Sequence, residues 1–260
     1  MGIWDQFSLN DKVVVITGGS GLYGKCMTIA CVEAGARTYI TTRNKDGLKK
    51  LEDEYAEMGF AISALYMDQE KPESIRALRE TLAEREGRCD VLVNNAVARM
   101  MKSYDDPLDV FAASMNINAT GLFEITRVFG DWMGERGSGS IINIGSIQGM
   151  ISPDATLYEG LNMDGYIPDY SFHKGGMISF TRFAASYYGR RGVRCNCICP
   201  GGMISEKVSA EFVKRYSDRT LLGRMADSSD IGGSIVFLAS DASLYVTGVI
   251  LPVDGGYMAK

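Results

Sequence analysis

The sequence has a single histidine, His173. That scarcity bears on Cys195, Cys197 and Cys199, which alternate along a strand-like run and so share one face. Three thiolates are the start of a zinc site, but no fourth ligand accompanies them, and small buried side chains on a parallel strand explain the run better. The six cysteines have no framework spacing, which in a chain of 260 residues points to reduced thiols in a cytoplasm rather than to disulfides. No apolar run approaches the ~20 residues of a membrane span, and no signal-peptide pattern opens the chain. Gln6 stands where a myristoylation signal after Met-Gly wants Ser or Thr. Positive charge is also short: 27 Lys and Arg against 32 Asp and Glu give a net charge of −5. Without a basic stripe, nucleic acid is excluded as the expected partner. Repeats, charge blocks and low-complexity linkers are missing, so residues 1–260 read as one domain, long enough for a well-buried core.

What is present begins with Val13 to Ile16, continuously apolar as a strand buried on both faces should be. It runs into Thr17-Gly18-Gly19-Ser20-Gly21-Leu22-Tyr23-Gly24 and then a helical pattern through Cys31. Strand, glycine-rich turn and helix N-terminus together make an anion site, because backbone N–H groups face the ligand and glycines let a pyrophosphate approach. A plain tight turn is the bland alternative, and the flanking context ranks it lower.

A second strand, Thr38 to Thr42, ends at Arg43-Asn44. An acid there would hold the ribose 2′-hydroxyl of NAD; none is present. Arg43 suits the 2′-phosphate of NADP, or else stacks on adenine. A helix over about 45–58 and a strand over 61–67 lead to Asp68, placed to accept from an adenine amine or to cap a helix. Val91 to Val93 is another buried strand, followed by Asn94-Asn95-Ala96-Val97, a turn or a tie between strands beneath a cofactor. In the helical region 107–136, Asn118 is unfavourable on propensity, so its side chain is expected to serve something, such as an ordered water.

Ser146 closes the apolar run 141–144. If residues 169–187 are helical, Tyr170 and Lys174 lie one turn apart on one face. A phenol is a weak acid, with an unperturbed pKa of about 10, and a neighbouring ammonium favours the phenolate, so the hydroxyl can exchange a proton during a reaction.

With these motifs in order, the sequence resembles the classical short-chain dehydrogenase/reductase family from about Phe7 to Tyr257. The turn at 17–24, Asp68, Asn94-Asn95-Ala96, Asn118, Ser146 and Tyr170-x-x-x-Lys174 carry the likeness. So do Pro200-Gly201, Ser205 in place of the usual threonine, and the ending Val253-Asp254-Gly255-Gly256. The resemblance implies a doubly wound (Rossmann) α/β fold with a mostly parallel seven-stranded sheet. Tyr170 would be the acid/base, and Lys174 would favour its ionised form while binding the nicotinamide ribose. Ser146 would hold the substrate oxygen, and Asn118 would support a relay water. The backbone at Met203 would hold the carboxamide, with Gly18, Ser20, Gly21, Leu22, Tyr23, Gly24, Arg43, Asp68, Asn95, Ala96, Pro200, Gly201 and Ser205 completing the NADP (or NAD) site. Tyr23 is also a candidate to lie against the nicotinamide ring. A homotetramer is implied, built on helices at about 107–136 and 169–191 and on the C-terminal segment.

Three departures stand out. Leu22 occupies a position usually held by glycine, so the glycines at 18, 21 and 24 follow the extended branch of the family. Val97 replaces a common glycine. Ser146 and Tyr170 are 24 positions apart, about twice the usual spacing. The added segment 152–168 carries Asp154, Tyr158, Glu159, Asn162, Asp164 and Tyr166 beside the expected catalytic mouth, which suits a lid or specificity element better than an idle loop. The segment 203–224 forms the other wall, with Glu206, Lys207, Lys214, Arg215, Arg219 and Arg224. Such a mouth, together with Phe7-Ser8-Leu9 at the start, resembles that of enzymes for a sugar, sugar acid or polyol. An epimerase or dehydratase of the extended branch shares Tyr and Lys but wants a larger C-terminal domain. A cofactor-sensing protein without turnover tends to lose the tyrosine, which stands here.

Overall fold

Val13, Val14, Val15 and Ile16 are all fully buried, yet they belong to two different cores. Val13 and Val15 pack with Ile75, Leu82, Phe129 and Met133, while Val14 and Ile16 pack with Met27, Leu51, Tyr55 and Leu238. Alternation along a strand sends successive side chains to opposite faces, so a sheet covered on both sides needs an unbroken apolar run. Burial of each such side chain contributes about 1.5–3 kcal/mol.

The structure is a computed structural model, and it describes residues 2–163 and 165–259. The strands are β1 (Val13–Thr17), β2 (Arg37–Thr42), β3 (Ser63–Tyr66), β4 (Val91–Asn94), β5 (Gly139–Ile144), β6 (Val193–Pro200) and β7 (Ile250–Val253). They form one sheet in the order β3-β2-β1-β4-β5-β6-β7. Every neighbouring pair is parallel. The helices are α1 (Ile3–Gln6), α2 (Leu22–Glu33), α3 (Leu48–Glu57), α4 (Pro72–Glu86), α5 (Leu108–Met115), α6 (Gly121–Arg136), α7 (Pro168–Tyr188), α8 (Ala210–Ser217) and α9 (Gly232–Ala239). One core holds side chains of α4, α6 and α7, the other those of α2, α3 and α9.

The chain leaves β1 toward β3 and then returns to β4 on the other side of β1. That reversal opens a crevice at the carboxyl ends of β1 and β4, where doubly wound sheets bind ligands.

Two elements differ from the sequence expectation. The helix over 107–136 is broken: α5 and α6 are joined by a five-residue π-helical turn, Asn116–Thr120. The helix expected from Lys45 begins at Leu48, because the Asn44 side chain accepts from the Gly47 N–H and holds a turn first.

Candidate active site

The glycine-rich turn leads straight into α2, whose N-cap is Gly21. Gly21 offers no side-chain acceptor, so the first N–H groups of a 12-residue helix remain available to an anion. Gly24 is demanded by a close approach: a Cβ there would lie 2.3 Å from the Gly18 carbonyl oxygen. Gly18 itself has φ +64°. Ser20, Gly21 and Leu22 are exposed along the rim, Leu22 at 52%.

Beneath this turn, Asn95 ties β4 to β1. Its Nδ2 donates to the carbonyls of Thr17 and Gly18 at 2.9 and 3.0 Å. The N–H groups of Asn95 and Ala96 both donate to the Thr17 hydroxyl at 2.9 Å. Arg43 is exposed at the end of β2 and makes no ion pair among the described residues. Asp68 ends up in a turn rather than at the N-cap, which is Lys71. Its carboxylate accepts from the Glu70 N–H at 3.2 Å and lies 3.6 Å from the Lys71 ammonium.

Across the crevice, Gly201 follows Pro200 with its N–H bonded to Val253. Its carbonyl accepts from the Tyr23 hydroxyl at 2.6 Å, which pins Tyr23 in place; burial, first of all, pushes that phenol well above its ordinary pKa. Met203 is buried and bridges Ala226 through the backbone of its neighbours, Gly202 and Ile204, leaving its own N–H and C=O out of the pairing. Ser205 lies just beyond, half-buried. This cradle of backbone donors, a close glycine approach, a left-handed glycine and an arginine without an ion pair among the described residues fits a dinucleotide.

Ser146 leaves β5 and caps a 3₁₀ turn, Ile147–Gly149, its Oγ accepting from the Gln148 N–H at 3.1 Å. That turn packs directly on α7: a Cβ at Gly149 would come 2.7 Å from the Lys174 carbonyl carbon. Lys174 is only 3% exposed and donates to the carbonyl of Ile144, two residues before Ser146. Its ammonium lies 5.7 Å from the centroid of the Tyr170 ring. Lysine and tyrosine thus share one face of α7, which packs on the 3₁₀ turn that Ser146 caps. The Tyr170 hydroxyl makes no hydrogen bond among the described residues, and its ring is half-buried.

The Asn118 side chain does serve something, as its place in a helical region suggested, and its partners are groups of the protein. Its side chain bonds both the N–H and the C=O of Ala98, at 2.9 and 2.8 Å, and donates to the Ser114 hydroxyl at 3.0 Å. The amide itself therefore spends its contacts on the protein. The carbonyl of Ile117, in the same π turn, is taken by the Gln69 side chain at 2.9 Å. Such turns widen the backbone and recur at functional sites.

Several neighbours escaped the sequence reading. Asp169 is 1% exposed and accepts from Ser114 Oγ at 2.5 Å; in sequence it is an ordinary acid in a helix's first turn. The guanidinium of Arg99 lies 5.6 Å from the Tyr170 ring centroid, and nothing local in the sequence announces it. His173 is buried edge-on to Tyr170, with rings 5.3 Å apart and both ring nitrogens unpartnered. Burial, and then Lys174, hold its pKa down at about 3.

The inserted segment is latched to α8. Leu157 is buried, and Tyr158 packs on Phe212 at 5.6 Å. Arg219 bonds Asp154 and Thr156, whose hydroxyl, ahead of the guanidinium, holds the Asp154 carboxyl below its usual range. Arg215 bonds Glu211 and the carbonyls of Thr156, Leu157 and Glu159, and Arg224 pairs with Asp230. The arginines expected to face a substrate are therefore satisfied within the wall. Asp164 lies outside the described residues.

A family described as enoyl-(acyl carrier protein) reductase matches residues 21–258. The chain is 33% identical to the 2-dehydro-3-deoxy-D-gluconate 5-dehydrogenase of Bacillus subtilis (strain 168), over 98% of each chain. It is 31% identical to the galactitol 2-dehydrogenase (L-tagatose-forming) of Cereibacter sphaeroides, over 96% of each. Among solved structures, a gluconate 5-dehydrogenase from Burkholderia cenocepacia J2315, in complex with NADP and tartrate, superposes with a TM-score of 0.88 at 29% identity, over the whole of both chains.

Proposed function

The chain belongs to the classical short-chain dehydrogenases/reductases, NAD(P)-dependent oxidoreductases, and on that premise we propose that its substrate is a sugar, a sugar acid or a polyol. A secondary alcohol of that substrate and the corresponding ketone are interconverted, with NADP as the preferred dinucleotide and NAD as the other option. The dinucleotide, when bound, supplies the hydride chemistry.

This chain's residues supply the rest. Tyr170 exchanges a proton with the substrate oxygen, which the Ser146 hydroxyl orients. Lys174, held by Ile144, favours the phenolate. Arg43 faces the 2′-phosphate, and the turn 18–24 takes the pyrophosphate. The observation that carries the reading is the Lys174 ammonium 5.7 Å from the Tyr170 ring and bonded to Ile144, two residues before Ser146, beside a crevice that fits a dinucleotide.

Two further points belong to the same proposal. Phe180, Phe183 and Tyr187 stack along α7 at 6.1 Å steps, and Phe183 and Tyr187 are 61% and 59% exposed. With Phe123 on α6, 46% exposed, they form a face suited to a homotetramer, which light scattering on the purified protein measures. No helix among the described residues is long and apolar enough to cross a membrane, and all six cysteines are thiols, which suits the cytoplasm.

Tyr170→Phe is the deciding test. Turnover should fall by about 10²–10⁴-fold, while NADPH binding, read by fluorescence titration, stays. Unchanged turnover would end the proposal.

A further inference from the structure

Arg99 and Tyr170 each follow one end of a buried hydrogen-bonded chain. Ala98 is held at its N–H and C=O by the Asn118 amide; Asn118 donates to Ser114 Oγ, and Ser114 donates to the Asp169 carboxylate. Ala98, Asn118, Ser114 and Asp169 are 9%, 3%, 0% and 1% exposed, so no solvent competes for these bonds. Three side chains therefore fix the separation between the residue after Ala98 and the residue after Asp169. The outcome is a guanidinium 5.6 Å from the centre of the phenol ring.

That guanidinium is exposed and has no hydrogen bond or carboxylate partner among the described residues. Arg215, Arg219 and Arg224 contrast with it, each being paired with an acid. Lys102 adds to the local positive charge: its ammonium donates to the Arg99 carbonyl at 3.0 Å and has no acid partner among the described residues. Asp106, on the same loop, accepts from the N–H groups of Lys102 and Ser103. An arginine rooted in a fixed backbone beside a proton-transferring phenol, without an ion pair among the described residues, is suited to a carboxylate, which its fork binds through two hydrogen bonds.

We infer that Arg99 is a specificity-determining residue that binds a carboxylate of the substrate while Tyr170 serves its carbinol, so that the substrate is a sugar acid rather than a neutral sugar or polyol. This rests on the dehydrogenase reading above. Asp169 and Ser114 are then positioning residues that set the distance between the two recognised groups.

The experiment compares wild type, Arg99→Met and Arg99→Lys on a panel of aldonates, each matched with the alditol of the same configuration, using NADP. Wild type should prefer the acid in kcat/KM. Arg99→Met should cut that acid-over-alditol ratio by about 10- to 100-fold, the worth of hydrogen bonds to a charged group. Arg99→Lys should recover part of it, having charge without the fork. Equal losses on acid and alditol, or a wild type that prefers alditols, would overturn the inference while leaving the dehydrogenase reading intact. A wild type that turns over neither class overturns both. Because Arg99 is exposed, neither variant is expected to disturb folding, which circular dichroism verifies.

Discussion

The hydroxyl of Tyr23 donates to the carbonyl of Gly201 at 2.6 Å and so joins the start of α2, just after the glycine-rich turn, to the loop after β6 across the crevice. Two segments 178 positions apart in sequence are held together by one phenol. Tyr23→Phe removes the donor and leaves a part-buried carbonyl unanswered. The expected loss is about 0.5–1.5 kcal/mol of stability, measured by urea unfolding, with weaker NADPH binding because the crevice is less tightly closed. An unchanged midpoint and affinity would show that the bridge contributes nothing.

Gly24 is a matter of space. A methyl group there would meet the Gly18 carbonyl at 2.3 Å and Gly19 Cα at 2.9 Å, both backbone atoms that cannot turn aside. Gly24→Ala should reduce NADPH affinity at least ~10-fold by displacing the turn. Gly233→Ala in α9 is the control, since a Cβ there would meet nothing within 4 Å. Similar affinities for the two variants in a fluorescence titration would contradict this account.

Arg43 tests the dinucleotide preference. It is exposed at the end of β2, with no ion pair among the described residues. Arg43→Ala should weaken NADPH binding by about 10- to 100-fold, as expected for lost hydrogen bonds to a charged phosphate. NADH, lacking that phosphate, should change much less. Parallel losses for both would mean that Arg43 stacks on adenine.

His173 predicts an acid limb of stability. In the unfolded chain it titrates near 6.5, whereas in the fold burial and Lys174 keep it neutral down to about 3. Below about pH 6.5 the unfolded chain therefore binds a proton that the folded chain refuses, and stability falls as pH falls. The slope is about 1.4 kcal/mol per pH unit until the folded value is reached. His173→Phe should remove that component, so the stability gap between variant and wild type should widen in the variant's favour between pH 7 and pH 5. Parallel pH profiles would refute it.

The Arg219–Asp154 pair concerns the insertion. With side chains 27% and 38% exposed, it should contribute no more than ~1 kcal/mol to stability. Its effect should lie in KM, because the pair moors the inserted segment to the wall built on α8. Asp154→Ala should leave the melting temperature within a few degrees and raise KM several-fold. An unchanged KM would make the mooring irrelevant to substrate.

Continuous apolarity at Val13 to Ile16, the glycines of the turn and the one-turn spacing of Tyr170 and Lys174 are local patterns. Backbone sterics and strand or helix periodicity fix their meaning, so the parallel doubly wound sheet, the glycine turn leading into α2 and the placing of Tyr170 and Lys174 on α7 could be read from the chain alone. The partners of Asn118, the pairing of Arg215, Arg219 and Arg224 with Glu211, Asp154 and Asp230, and the approach of Arg99 to Tyr170 came from the packing of the folded chain. Each joins segments far apart in sequence, or chooses among several acceptors within reach of a long side chain. A buried polar group takes the partner that the packing brings to it, and no spacing rule names that partner in advance.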